Sequence, residues 1–311
     1  MEKRTVIITG GNSGLGYQCA KNIAKSDPGY HIILACRNAK KADMAAETLK
    51  VETNNLNIST MDLDLASLSS IRMFYQAFSR ADLPPLYAVV CNAGIGAGGV
   101  PGQVYTKDGI EMIFGVNHLG HFLLTNLLLN RMGKNGRIVF VSSDMHEPPA
   151  FLRIKVRYEN ARAISAAKPG ILQYGTSKLC NLYCSYEMAR LIETKTDRKI
   201  TVNAFNPGAM SDTNFVRVEG SALLQGILRV FSRIMNHIVG KPSTSIKSGA
   251  ALASLVTEAS FDTMSGKYVD RGEITKSSTL SYSKDNAREL WKTSMELSQL
   301  RISETIFENE N

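Results

Sequence analysis

Cysteine is scarce in this sequence and shows no pairing pattern. The five cysteines, at 19, 36, 91, 180 and 184, are odd in number and contain no Cys-x-x-Cys spacing. That excludes a disulfide framework and points to free thiols in a reducing cytosol. Cys180 and Cys184 could share a helix face, but two thiols without a histidine beside them make a poor metal site, so no metal is expected. Long hydrophobic runs are also missing. Met1-Glu2-Lys3-Arg4 leads into Thr5-Val6-Ile7-Ile8-Thr9, which is too short for a signal-peptide core and has no cleavage site after it. No stretch approaches a membrane span in length, and a cytoplasmic protein is the expectation. Dense basic runs are absent as well: 36 basic against 28 acidic residues leave a formal charge of +8. Nucleic acid is therefore not an expected partner, whereas an anionic cofactor suits a mildly basic surface. Repeats, low-complexity tracts and linkers are lacking too. With 44% hydrophobic residues in 311, the chain can bury a large core, and one domain over 1–311 is expected.

What is present begins with strand, glycine turn and helix. Val6-Ile7-Ile8 is a short β-branched run, followed by Thr9-Gly10-Gly11-Asn12-Ser13-Gly14-Leu15-Gly16 and a helical pattern near Tyr17. Glycines there let the backbone approach a pyrophosphate, and a helix N-terminus offers free N–H groups. The spacing is Thr-Gly-x-x-x-Gly-x-Gly rather than Gly-x-Gly-x-x-Gly. A plain glycine-rich turn is the alternative, disfavoured by the strand before it and the helix after it. A second strand, His31 to Cys36, ends without the acidic residue that would hold an NAD ribose, and Arg37 follows at once. An arginine at that place accommodates a 2′-phosphate, so NADP is preferred, with Asn12 nearby; a solvated Arg37 is the alternative. Further strands are expected at Asn57–Met61, Leu86–Val90 and Gly136–Val141, with helices at Ala39–Glu52, Leu68–Phe78 and Asp108–Leu128. Alternating strands and helices imply an α/β doubly wound parallel sheet of Rossmann type. Ligands in such sheets sit at the carboxyl ends of strands, where Gly10, Arg37, Asp64 and Asn92 all fall.

Gln173-Tyr174-Gly175-Thr176-Ser177-Lys178 places a phenol and an ammonium four residues apart, on one face of a helix. The positive charge is expected to lower the tyrosine pKa towards working pH, making an acid–base pair. Ser142-Ser143 reaches the same sheet edge after the fifth strand and can hold a carbonyl oxygen while the tyrosine protonates it. His118 and His121 are three apart, but no carboxylate lies at ligand spacing, so packed or hydrogen-bonded histidines are expected.

These motifs together resemble the short-chain dehydrogenase/reductase family. Thr9-Gly10 with Gly14 and Gly16 matches its cofactor loop; Cys91-Asn92-Ala93-Gly94 matches its Asn-Asn-Ala-Gly motif; Asn117, Ser143, Tyr174 and Lys178 match its catalytic tetrad. Asn206-Pro207-Gly208 matches the Pro-Gly after its sixth strand. The resemblance runs in family order from residue 5 to about 215. It implies a nicotinamide cofactor, NADP(H) here, bound by Gly10, Asn12, Ser13, Gly14, Leu15, Gly16, Arg37, Asp64, Leu65, Asn92, Ala93, Gly94, Tyr174, Lys178, Pro207 and Gly208. It also implies hydride transfer to or from a carbonyl carbon, with Asn117 positioning Lys178 and a proton-relay water. Ala35-Cys36-Arg37, Leu63-Asp64-Leu65 and Asn117-His118-Leu119-Gly120-His121 resemble the branch holding retinol dehydrogenases and light-dependent protochlorophyllide reductases. The latter carry a cysteine after Pro-Gly where this chain has Ala209.

The rest of the chain shapes the substrate. The gap between Ser143 and Tyr174 holds an insertion, about 145–172, placed to overhang the pocket or to form a plain surface loop. Residues 221–239 are strongly amphipathic, with Leu228, Phe231 and Ile234 in one stripe and a basic opposite face. They read as a lid helix within a substrate region at about 209–241, or as a membrane-surface helix making peripheral contact. A helix from Ser245, a strand near Lys267–Val269, a helix over 284–300 and a frayed end from Thr305 complete the pattern. The expected substrate is a small lipophilic carbonyl or alcohol, or a conjugated double bond; a non-catalytic NADP sensor on the same fold is the alternative, and homo-oligomers are frequent in the family.

Overall fold

The computed structural model describes residues 3–96, 99, 102–210 and 242–307. The proposed lid, with Phe231, lies outside the described residues. In chain order the elements are β1 (Arg4–Thr9), α1 (Gly14–Ser26), β2 (Tyr30–Cys36), α2 (Ala39–Thr53), β3 (Ile58–Asp62), α3 (Leu68–Arg80) and β4 (Leu86–Cys91). They continue as α4 (Met112–Leu129), β5 (Met132–Val141), α5 (Ala161–Ser165), α6 (Ile171–Lys195) and β6 (Lys199–Asn206). After the two-residue strands β7 (Ala209–Met210) and β8 (Pro242–Ser243) come α7 (Ser245–Thr257), β9 (Tyr268–Asp270), β10 (Glu273–Thr275) and α8 (Lys284–Leu297).

Among the described residues the main sheet has eight strands in the order β10-β9-β6-β5-β4-β1-β2-β3. All but β10 run parallel. Side chains alternate between its two faces. Ile7, Ile33, Val89 and Ile138 enter one core layer, and Val6, Ile8, Leu34, Val90 and Val139 enter the other. A sheet covered on both faces explains the unbroken β-branched runs of its central strands. The order reverses between β1 and β4, so their carboxyl ends border the crevice where such folds bind ligands.

Several boundaries differ from the sequence reading. The helix expected from Asp108 begins at Met112, because Gly109 takes a left-handed φ of +76° and Glu111 caps the first turn. The Glu111 carboxylate accepts from the backbone of Ile113 and Phe114 and from Gln173 Nε2. Within α4, Gly115–Leu119 winds as a π-turn. This helix is also long and apolar enough, by length and composition, to cross a membrane, with mean hydropathy 1.3 over 18 residues, contrary to expectation. Its interspersed His118, His121 and Asn126 hid that in the sequence; 94% of it is buried in the molecule, as suits a core helix. Strand β5 starts at Met132 rather than Gly136, and β10 adds an edge strand that the sequence did not suggest. The tail is not frayed at 305–307: Thr305 Oγ1 donates to Asn126, and Phe307 is buried edge-on against Trp291.

Candidate active site

The carboxyl edge of the sheet collects the sequence-selected residues because each strand ends beside them. β1 delivers the glycine turn, β2 Arg37, β4 Asn92-Ala93-Gly94, β5 Ser142-Ser143 and β6 Pro207-Gly208. Gly10 has φ +65°, a conformation that L side chains rarely adopt. A Cβ on Gly16 would lie 2.5 Å from Asn92 Nδ2 and 2.6 Å from the Gly10 carbonyl, so only glycine fits there. Asn92 clamps the turn, donating from Nδ2 to the Thr9 carbonyl at 2.8 Å. The thirteen-residue α1 starts at Gly14 with no side-chain cap at Ser13 and no acid in its first turn. Leu15 packs into the core and keeps that helix start fixed. An uncapped helix N-terminus behind a tight glycine turn suits a pyrophosphate.

The flanking contacts are more mixed. Arg37 is exposed after the buried Ala35 and Cys36, while Asn12 Oδ1 lies 3.5 Å from the Cys36 thiol. The residues here fit a 2′-phosphate: a cation is present and the ribose-binding acid is missing. Asp64 stands at the edge as expected, but its carboxylate closes the local turn, accepting from Ala66 N–H at 3.1 Å, and lies 3.9 Å from Lys107 Nζ. Leu65 beside it is buried under α4.

The tetrad is brought together by α4, β5 and α6. Asn117, inside the π-turn, holds Ile95 through both amide ends: Oδ1 accepts from Ile95 N–H at 2.8 Å and Nδ2 donates to Ile95 O at 3.0 Å. Nδ2 also reaches Ser177 Oγ at 3.0 Å, and Ser177 Oγ in turn donates to the Tyr174 carbonyl at 2.7 Å. Lys178 Nζ donates to the Val141 carbonyl at 3.1 Å and sits 5.7 Å from the Tyr174 ring centre. Gly94 adjoins both, since a Cβ there would be 3.1 Å from Asn117 Oδ1 and 3.6 Å from Lys178 Nζ. Ser143 hydrogen-bonds the Tyr174 hydroxyl. Its backbone is fixed by His146, whose Nδ1 donates to the Ser143 carbonyl at 2.6 Å and whose Nε2 accepts from Ser278 N–H at 3.1 Å.

The electrostatics correct one expectation. Burial pushes the Tyr174 phenol up to about 12, against the lowering by its Ser143 hydrogen bond and with a further rise from Asp144. Lys178 does not bring the tyrosine towards neutrality in this state; its ammonium is turned to Val141, and burial lowers its own pKa to about 8. Asp144 is raised by burial and by Asp270, and Asn206 Nδ2 donates to both carboxylates. Pro207 follows with its carbonyl accepting from Ser248 Oγ at 2.6 Å, and Gly208 turns with φ +74°.

The two histidines of α4 are packed and hydrogen-bonded, as expected. His118 Nε2 meets Ser294 Oγ at 3.0 Å, and His121 bonds Thr9 and Asn117. The expected overhang at 145–172 is partly a packed layer: Val156 is buried, and a Cβ on Gly175 would lie 2.7 Å from its Cγ2. Sequence reasoning did not assign Ser177, His146 or the Val141 carbonyl. Ser177 stood inside the Tyr-Lys motif, and His146 three residues after Ser143, so spacing was the available signal.

A doubly wound sheet with this glycine turn and this serine, tyrosine and lysine at one edge defines a Rossmann-type oxidoreductase. The sequence profile of the family described as short chain dehydrogenase matches residues 4–154. The chain is 33% identical over 304 residues to polyprenol dehydrogenase of Danio rerio, covering 96% of this chain and 87% of that one. It is 33% identical to the human WW domain-containing oxidoreductase (96% and 69% covered) and 32% identical to the chloroplastic protochlorophyllide reductase of Daucus carota (96% and 78%). The chain belongs to the short-chain dehydrogenase/reductase family. Among solved structures, a blue fluorescent protein from a metagenomic library in complex with NADPH is similar with TM-score 0.62 at 20% identity, covering 86% of this chain and 96% of that one. An angucycline C-6 ketoreductase with bound NADP is similar with TM-score 0.60 at 22% identity, covering 86% and 94%. At those identities the likeness shows the fold.

Proposed function

We propose that the protein is an NADPH-dependent oxidoreductase acting on the carbonyl or alcohol of a lipophilic small molecule, with Tyr174 as general acid in reduction and base in oxidation. The observation that carries this reading is the Tyr174 hydroxyl held by Ser143, on the helix that also places Lys178 beside Asn117 and Gly94. A phenol kept protonated by burial can donate its proton at neutral pH. Ser143 orients the substrate oxygen, and Tyr174 protonates it as negative charge develops. Residues Gly10 to Gly16 would hold the pyrophosphate, Arg37 the 2′-phosphate, Asp64 and Leu65 the adenine side. Asn92 to Gly94, Lys178, Pro207 and Gly208 would hold the nicotinamide half, and the bound nicotinamide supplies the hydride.

A lipophilic substrate is supported by two exposed apolar side chains, Ile171 and Leu172, at the start of α6 just before Tyr174. The name polyprenol dehydrogenase on a 33% identical relative points the same way. Ala209, where protochlorophyllide reductases carry cysteine, supports carbonyl chemistry over double-bond reduction. The test is NADPH consumption with carbonyls of increasing chain length, beside NADH as control. Turnover that rises with chain length and prefers NADPH is expected, and Arg37→Ala should shrink that preference. No turnover with any carbonyl, or equal use of NADH, would remove this reading.

A further inference from the structure

His121 is fully buried one turn beyond Asn117 on α4, and it touches two parts of the site at once. Nδ1 lies 3.1 Å from the Asn117 carbonyl and Nε2 lies 2.9 Å from Thr9 Oγ1. A carbonyl can only accept, so Nδ1 carries the proton and Nε2 is the acceptor. Thr9 then donates its hydroxyl proton to His121 at 2.9 Å, the nearer of its two acceptors, the Val90 carbonyl lying 3.3 Å away. That leaves both Thr9 lone pairs for the backbone N–H groups of Asn92 and Ala93, each 2.9 Å away. Both imidazole nitrogens thereby have a partner, and the Asn117 carbonyl, which can only accept, fixes the tautomer. Burial lowers the imidazole pKa to about 4, so the neutral form that this network needs is the form present at neutral pH. Thr9, His121 and Asn117 are all fully buried, which shields these bonds from bulk solvent.

From this geometry we infer that His121 is a positioning residue of the hydride-transfer site: it ties the β1 and β4 strand ends that carry the cofactor turn to the π-turn that presents Asn117. Any movement of the turn is transmitted to Asn117, and through Ser177 to the backbone of Tyr174. The inference rests on the proposed oxidoreductase activity for its kinetic readout, but its binding readout is independent of turnover.

Two substitutions divide the two bonds. In His121→Asn the shorter amide reaches only the Asn117 carbonyl, as Asn126 Nδ2 reaches Phe122 O at 2.9 Å on the same helix. In His121→Gln the amide oxygen extends to Thr9 and the Asn117 carbonyl loses its side-chain partner. His121→Asn should weaken NADPH binding about tenfold, with a smaller loss in kcat, because the cofactor turn is released. His121→Gln should show the reverse, a fall in kcat of about tenfold with a smaller change in NADPH Kd. His121→Phe should show both losses. NADPH Kd is measured by fluorescence titration, kcat on the carbonyl that the parent turns over, and folding by thermal melts. Variants that lose only melting temperature, or that lose Kd and kcat in one fixed ratio, would overturn the positioning role. A parent without turnover, but with the expected Kd difference between the Asn and Gln variants, would sink the oxidoreductase reading and leave the strut standing.

Discussion

At the residue scale the proposed reaction turns on the Tyr174 hydroxyl, which combines a transferable proton with a position against Ser143. Tyr174→Phe removes the proton and little else. Turnover is expected to fall by about 10²–10⁴-fold while NADPH affinity stays close to that of the parent; near-parental turnover in that variant would take Tyr174 out of the mechanism. Lys178 gives a pH signature. Burial lowers its pKa to about 8, so the free protein carries a neutral amine above that pH and an ammonium below it. If the ammonium meets the cofactor, binding must take up a proton above pH 8 and none well below it. Calorimetric titration in buffers of different ionisation enthalpy should show uptake of about one proton per NADPH at pH 9 and close to none at pH 7. Equal proton uptake at both would show that Lys178 does not act as a cation on the cofactor.

At the element scale, α4 is the piece on which the site depends. Its start is set by Glu111, a fully buried carboxylate that caps two backbone N–H groups and receives Gln173 from α6. Its pKa is raised by burial, with the three donors pulling it back down. Glu111→Ala leaves those donors unsatisfied, so a loss of about 2–4 kcal/mol in unfolding free energy is expected from denaturant melts. Because Gln173 precedes Tyr174, kcat should fall as well; a variant of unchanged stability would show that the cap is dispensable. The π-turn at Gly115–Leu119 is the second device of this element. Gly120, which closes it, approaches the Leu65 carbonyl so closely that a Cβ would lie 2.7 Å away.

At the scale of the whole molecule, buried histidines set the response to acid. His118 and His121 have pKa values lowered by burial to about 3 and about 4, and His146 is lowered by the same cause. The unfolded chain takes up these protons first, near pH 6.5, so the native state is fully favoured above that pH and loses ground as pH falls towards the folded values. Asp144 and Glu111, raised by burial, act in the opposite direction. The clean comparison is therefore His118→Gln, which can keep a bond to Ser294 without titrating. The stability difference between parent and variant should move by about 2 kcal/mol in the variant's favour between pH 7 and pH 5. A difference independent of pH would mean that His118 is not buried neutral.

The sequence alone determined the class of this protein. Strand runs ending in Thr9, Cys36, Cys91 and Val141, each followed by a chemically distinctive residue, suffice for a parallel sheet with one functional edge, because strand periodicity and glycine turns are local properties. The residues Asn117, Ser143, Tyr174 and Lys178 were readable as a set through their match, in type and order, to the family's tetrad, and the fold brings them to one edge. Tertiary structure decided what depends on distant partners. Lys178 looks along the chain like the group that acidifies Tyr174, yet in the fold it turns to Val141 while burial and Asp144 raise the phenol. The tail at Thr305–Phe307 has no local signal for order and is held by Asn126 and Trp291 from elsewhere in the chain. His121 showed only a spacing to His118 in the sequence; its meaning appeared once Thr9, 112 positions away, closed on its ring. Desolvation and long-range hydrogen bonds are sums over neighbours that no stretch of sequence contains, so they are settled only when the chain has folded.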